Sequence, residues 1–244
     1  MPGQNDESTQ AASVAETSLS QIGVFAKYWE PGTVKTRLAQ DIGNELAADL
    51  YRQFILSTLN RVSGIASRQT LVITPPERAK HFLEVALDDW TIESQLDGDL
   101  GARITGYFQL AFDHHFKRVV LIGSDSPTVP HQFIEEAFDR LHSFDCVIGP
   151  ANDGGYYLIG LSGFHSAHTE LFESIQWSTQ HVFNQTMKKA EQLKLSVHTL
   201  ATWYDVDTIE DLTRVVSDLN RQPHETLTEA EKEICLLAAD YKTQ

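Results

Sequence analysis

Lys27, Lys35 and Arg37 fall within eleven residues of one another, in a segment that reads Phe25-Ala26-Lys27, then Pro31-Gly32, then Lys35-Thr36-Arg37-Leu38. Lysine offers a mobile point charge, and arginine a planar fork that grips phosphate oxygens two at a time. Gly32 lets backbone amides come close to a ligand. Such a loop would hold an anion, and it stands out in a chain with 19 Lys and Arg against 34 Asp and Glu. A solvated basic loop is the plainer reading of the same residues. It is not a Walker A loop, because the GxxxxGK pattern is absent. Lys35 and Arg37 are expected at the surface, since long charged side chains are rarely buried.

Asp125 stands in Gly123-Ser124-Asp125-Ser126-Pro127, just beyond the apolar run Val119 to Ile122. A carboxylate at the carboxyl edge of a sheet is a hard oxygen ligand for Mg²⁺ or Mn²⁺, ions that bridge protein carboxylates and substrate phosphates. Pro127 and Pro130 allow a turn or capping aspartate instead. Asp205 and Asp207 lie in Trp203-Tyr204-Asp205-Val206-Asp207-Thr208. In extended backbone both carboxylates share a face, a placement that could complete a metal site begun by Asp125. Asp207 or Thr208 equally suits a helix N-cap, with Glu210 and Asp211 in the first turn.

The fourth constellation is Gly149-Pro150-Ala151-Asn152-Asp153-Gly154-Gly155-Tyr156-Tyr157. It could hold a sugar or another acceptor, with Asp153 as general base on the acceptor hydroxyl. Gly154 and Gly155 leave room for close approach. Tyr156 and Trp177, with Ser178, offer flat apolar faces and polar edges that suit a polyol. Asp-Gly and Gly-Gly are also the strongest short hairpin signals, so a turn is the competing reading.

The scaffold for these groups is legible as alternating elements. Strands are expected at Ile22–Phe25, Thr70–Thr74, Thr91–Gln95, Val119–Ile122, Cys146–Ile148, Tyr156–Leu161 and Val197–Leu200. Helices are expected after Asn44 as N-cap, over 77–87, from Leu100 to Phe116, after Pro130, over 180–193 and over 208–219. Alternation of this kind implies a single α/β domain, with a mostly parallel sheet and helices on both faces. Such sheets bind ligands beyond the carboxyl ends of their strands, where strand order reverses. Residues 1–20, rich in Ser, Thr, Gln and Ala, read as a disordered tail, and 21–220 as the domain. Within 221–244, Thr228 and Glu231 are spaced as a capping box, and Ile234, Leu237 and Tyr241 mark a stripe that would pack on the domain.

The net charge of −15 argues against nucleic-acid binding. No apolar run approaches a membrane span, and the first residues lack a basic segment followed by an apolar core, so the cytoplasm is the expected compartment. Cys146 and Cys235 are in no metal-ligand spacing and read as free thiols. Nothing in the sequence speaks to oligomeric state.

Taken in order, FAK at 25–27, PGTVKTRLA at 31–39, GSDSP at 123–127, GPANDGGYYLIGL at 149–161, WST at 177–179 and DVDT at 205–208 resemble a bacterial group of glycosyltransferase-like proteins. That group has the GT-A, or nucleotide-diphosphosugar transferase, fold, and some members are described as arsenosugar-biosynthesis or radical-enzyme-associated glycosyltransferases. The resemblance runs from about Ile22 to Leu212. It implies that Lys27, Lys35 and Arg37 line the nucleotide phosphates, and Ala26, Gly32, Thr36 and Ser124 join them as candidate nucleotide-binding residues. It also implies that Asp125 binds a divalent metal, and that the substrates are a nucleotide sugar and a small-molecule acceptor. The Tyr28-Trp29-Glu30 stretch departs from relatives, which carry smaller, more apolar residues there. The Lys-Thr-Arg-Leu loop is also similar to that of nucleotidyltransferases that make phospholactate or molybdopterin dinucleotides from a nucleoside triphosphate. Glycosyl transfer is therefore the first reading, nucleotidyl transfer the alternative, and a catalytically idle relative that binds a nucleotide the third.

Overall fold

Apolar runs of five to eight residues form most of one seven-stranded sheet in the order β3-β2-β1-β4-β6-β5-β7. The strands are β1 (Ser20–Lys27), β2 (Arg68–Thr74), β3 (Trp90–Ser94), β4 (Arg118–Gly123), β5 (Cys146–Pro150), β6 (Tyr156–Ser162) and β7 (Val197–Thr199). The structure, a computed structural model, describes residues 19–163 and 166–241. The tail expected over 1–20 lies outside the described residues as far as residue 18, and Ser20 already belongs to β1.

All neighbouring pairs are parallel except those made by β6, which runs antiparallel to both β4 and β5. The exception follows from chain length. Only the turn around Asp153 separates β5 from β6, too short for a crossover, so the two strands form a hairpin. The chain passes from β1 outward to β2 and β3, then returns to place β4 on the other side of β1. Strand order therefore reverses between β1 and β4.

Alternation along the strands divides the core into two layers. Ile22, Val24, Val120 and Ile122 face one side. That side is covered by α2 (Asn44–Val62), α5 (His131–Arg140), α8 (Ile209–Asn220) and α9 (Glu229–Tyr241), with the single turns α1 (Ala39–Ile42) and α3 (Ala79–Phe82) at its edge. Val119, Leu121, Ile148 and Ile159 face the other, under α4 (Leu100–Asp113), the short α6 (Ser166–Glu170) and α7 (Val182–Gln192). The C-terminal α9 packs on α2 through Ile234 and Ala238, and the buried pair Arg61–Glu231 ties the two helices together. Thr228 and Glu231 make the reciprocal cap at its start. No described helix is long and apolar enough to cross a membrane.

Two local expectations fail for steric reasons. Asn44 is the first residue of α2, and the cap position is held by Gly43 at φ 86°, a conformation that disfavours side chains. Residues 77–87 give only a 3₁₀ turn, Pro76–Arg78, and one helical turn, Ala79–Phe82. Pro75 and Pro76 fix the entry, and the chain must re-enter the sheet at Trp90.

Candidate active site

The carboxyl ends of β1 and β4, at the reversal of strand order, open onto a cleft of about 550 Å³. Arg37, Asp125, Asp153, Asp205, Asp207, Tyr156, Trp177 and Ser178 line it, together with Gly155, Leu100 and residues 179–180. The loop after β4 carries Asp125. The segment after β7 runs along the end of β5, where Trp203 N–H donates to the Pro150 carbonyl at 3.0 Å. Val206 N–H then donates to the Asp125 carbonyl at 2.9 Å, which fixes the two acidic loops side by side. Tyr204 and Val206 are buried in the core, so the alternating Asp205 and Asp207 turn toward the cleft. Thr208 caps α8 in a reciprocal box with Asp211. That cap leaves the Asp207 carboxylate free for other partners.

Those partners are the cations of the loop after β1. Lys35 Nζ pairs with Asp125 and lies 3.2 Å from Asp207, while the Arg37 guanidinium is 3.7 Å from Asp207. The expectation that both cations sit at the surface is half wrong. The Arg37 side chain is 66% exposed, but that of Lys35 is only 4% exposed. Two carboxylates make the burial tolerable, and against the desolvation they hold the Lys35 ammonium well above its usual range. Lys35 also adopts a left-handed backbone, φ 46°, that few non-glycine residues accept.

Asp205 is the under-neutralised member. Burial first, and then the Asp125 charge, push its carboxyl up to about 6, although the Ser126 hydroxyl donates to it and Lys35 is near. Four carboxylates thus face two cations in one cleft. Among the described residues, no group of three or more His, Cys, Asp or Glu is arranged as a ready-made metal cage. The donor chemistry nonetheless fits Mg²⁺ or Mn²⁺, which take one or two carboxylates and complete their shell with substrate phosphates and water.

The remaining expected residues separate into groups. Ala26 is buried under the loop, and Gly32 and Thr36 are exposed on it. Lys27 Nζ turns back to donate to the Thr33 carbonyl at 2.8 Å. Ser124 is buried, with its hydroxyl 2.8 Å from that of Tyr51. Asp153 accepts from the Gly155 N–H at 2.8 Å, shaping the turn while its carboxylate still borders the cleft. Gly154 does not offer space to a ligand. At φ 91° it abuts the Gln180 backbone, whose carbonyl oxygen would lie 2.2 Å from an added Cβ. Tyr156 and Trp177 meet edge to face, with ring centroids 6.3 Å apart.

Sequence reasoning missed Tyr51. It reads as one of the apolar repeats of α2, yet its hydroxyl accepts the Lys27 N–H at 3.1 Å, bonds Ser124, and its ring lies 5.7 Å from Lys35 Nζ. Burial and the Asp125 charge push its phenol up to about 12. The available signal was a tyrosine on a mostly apolar, buried helix face.

A mostly parallel sheet with one antiparallel hairpin strand, a cationic loop after β1 and acidic loops beyond β4 and β7 match the nucleotide-diphosphosugar transferase fold. Over residues 58–179 the sequence matches the family described as an uncharacterized protein conserved in bacteria, DUF2064, and the chain belongs to that family. A solved structure of a provisionally named nucleotide-diphospho-sugar transferase from Desulfovibrio desulfuricans G20 is 34% identical. The match covers 91% of this chain and 97% of that one, with a TM-score of 0.81. More distant structures share the fold. A 4-diphosphocytidyl-2C-methyl-D-erythritol synthase from Anaerococcus prevotii DSM 20548 is 12% identical over 84% of this chain and 100% of its own, at TM-score 0.55. A nucleotidyl transferase from Methanothermobacter is 13% identical over 83% and 98%, at TM-score 0.53. No curated protein sequence shows significant similarity to this chain.

Proposed function

We propose that the chain is a metal-dependent glycosyltransferase that takes a nucleotide-diphosphosugar donor and a small-molecule acceptor. One observation carries the reading. Lys35 and Arg37 pair with Asp125 and Asp207 where strand order reverses, and Asp153 and Asp205 line the same cleft. The 34% identity to a protein named as a nucleotide-diphospho-sugar transferase supports it.

The leaving nucleoside diphosphate gathers negative charge as the bond to the sugar breaks. Arg37, exposed at the cleft, is placed to grip its phosphate oxygens, and Lys35 supplies fixed positive charge beside them. A divalent ion held by Asp125 with Asp205 or Asp207 would add charge neutralisation of the diphosphate. Tyr51 and Ser124 lock the loops that present these groups. In the same cleft, Tyr156, Trp177 and Ser178 receive the acceptor, and Asp153 takes the proton from its hydroxyl.

A melting screen of nucleotide sugars and nucleoside triphosphates, with and without Mn²⁺, tests this. A ligand that binds only the folded state at a hundred times its dissociation constant adds about 2.7 kcal/mol. Stabilisation by a nucleotide sugar, followed by release of nucleoside diphosphate, is the expected result. Pyrophosphate release from a nucleoside triphosphate would assign nucleotidyl transfer instead, and the absence of any nucleotide binding would reject both chemistries.

A further inference from the structure

Beside Asp125 the cleft continues into a second, mostly apolar pocket of about 220 Å³ between the sheet and α4. Phe25, Leu100, Ile104, Leu121, Gly123 and Ile159 surround it, and Asp125, Leu100 and Tyr156 are shared with the main cleft. Its origin is a single position. Val119, Leu121 and Gly123 fall on the same face of β4, and the first two fill the apolar layer under α4. At 123 that face carries no side chain, and an added Cβ would meet no atom within 4 Å. Nothing in the backbone calls for glycine here, since Gly123 is a strand residue without positive φ. Glycine at this site keeps open a space that any larger residue would occupy.

We infer that this pocket receives a compact, uncharged apolar group of the acceptor, carried next to the polar group that reacts beside Asp125. The inference rests on the transferase reading above. Size and lining decide the occupant. The volume has room for roughly seven non-hydrogen atoms, taking about 30 Å³ for each water-sized unit. Apart from Asp125 and the hydroxyls of Tyr156 and Tyr157, the lining side chains are hydrocarbon, and the Tyr157 hydroxyl is already bonded to the Ala201 carbonyl at 3.1 Å. A nucleobase edge would leave its donors and acceptors unpaired there, whereas a phenyl or branched aliphatic group loses nothing. The cations that would hold the donor phosphates belong to the loop after β1, outside this lining.

The test uses the full chain with ¹³C-labelled Ile, Leu and Val methyls, and benzyl alcohol as probe. Saturable shifts are expected at Ile104, Leu121 and Ile159, with none at Val215 or Ile234 in the opposite layer. Gly123→Val should weaken the probe by roughly tenfold or more, by filling the space, and Gly123→Ala by less. Melting shifts produced by ATP, GTP, CTP and UTP with Mg²⁺, and by their sugar diphosphates, should be the same in wild type and both variants. Bound nucleotide should leave the probe in place. If Gly123→Val fails to fold, the Gly123→Ala comparison decides. Absence of saturable shifts in the wild type, or equal probe affinity in the variants, would overturn the inference. So would a nucleotide that shifts these methyls, expels the probe and loses affinity in Gly123→Val, since the base would then own the pocket. If no nucleotide binds even the wild type, the transferase reading itself falls, and with it the acceptor role, whatever the probe does.

Discussion

Lys35 and Asp207 are 172 positions apart in the chain, and their side chains meet at 3.2 Å. The contact joins the loop after β1 to the loop before α8, and the same ammonium holds Asp125 after β4. Lys35 is therefore the hub of the cleft as well as part of its charge.

Lys35→Ala and Arg37→Ala should accordingly behave differently. Removing the buried ammonium leaves Asp125 and Asp207 facing each other, and breaking a buried pair is costly. Both carboxylates keep access to water, at 47% and 39% exposure, which moderates the loss to roughly 1–3 kcal/mol. Arg37 is mostly exposed, so its loss should leave melting unchanged while nucleotide affinity drops by tenfold or more, at about 1.4 kcal/mol per decade. Melting curves and nucleotide titrations of the two variants check both statements. Equal melting of Lys35→Ala and wild type would remove the hub role.

Asp205 predicts a pH dependence with a definite sign. Its carboxyl is pushed from 3.8 up to about 6 by burial and by Asp125, so between these values the folded state binds more protons than the unfolded one. Stability from this group is present below about pH 4 and is lost as pH rises to about 6. Asp205→Asn removes the charge and can still accept from Ser126. Its melting point should match wild type near pH 4 and exceed it by about 5 °C at pH 7–8, a gain on the order of 2 kcal/mol. The same variant should lose the Mn²⁺-dependent part of nucleotide binding. A constant offset across pH would reject the titration.

Gly154 offers a test of the hairpin. A side chain there would meet the Gln180 backbone and also sit at φ 91°. Gly43 has a similar φ of 86° with open space around it. Gly43→Ala should therefore cost only backbone strain, about 1–2 kcal/mol, and Gly154→Ala clearly more. The excess should come with disorder of the 177–181 segment, seen as faster amide exchange. Comparable melting losses for the two variants would show that Gln180 yields easily.

The alternating apolar runs made the parallel sheet and its ligand edge readable, because burial on both faces leaves a strong pattern in β1, β2 and β4. The hairpin at Asp153 was visible as a turn, and its consequence, an antiparallel β6, follows from loop length. Lys35 was legible as a cation but not as a buried one, since the carboxylates that permit its burial lie 90 and 172 residues away. Tyr51 was hidden for the opposite reason, because a tyrosine on a buried helix face looks the same whether its hydroxyl is idle or bonded. Asp205 and Asp207 were placed on one face correctly by extended backbone, while the division of labour, with Thr208 as the cap, needed the geometry.

Asp153 both closes a turn and borders the cleft. Its Oδ1 accepts the Gly155 N–H at 2.8 Å, the contact that closes the turn, and its carboxylate borders the cleft with Asp205 and Tyr156. Asparagine keeps an oxygen for the Gly155 N–H and tolerates the same turn conformations, so Asp153→Asn should melt within about a degree of wild type. It cannot accept a proton. If Asp153 serves the acceptor hydroxyl, turnover should fall by about two to four decades while nucleotide binding stays intact, because a general base contributes about that much. Donor hydrolysis, which uses water in place of the acceptor, should fall less. Near-normal transfer in Asp153→Asn would confine the residue to the turn and leave proton transfer to another group in the cleft. Asp153→Ala supplies the control, since it removes the turn contact as well and should lower both melting and turnover.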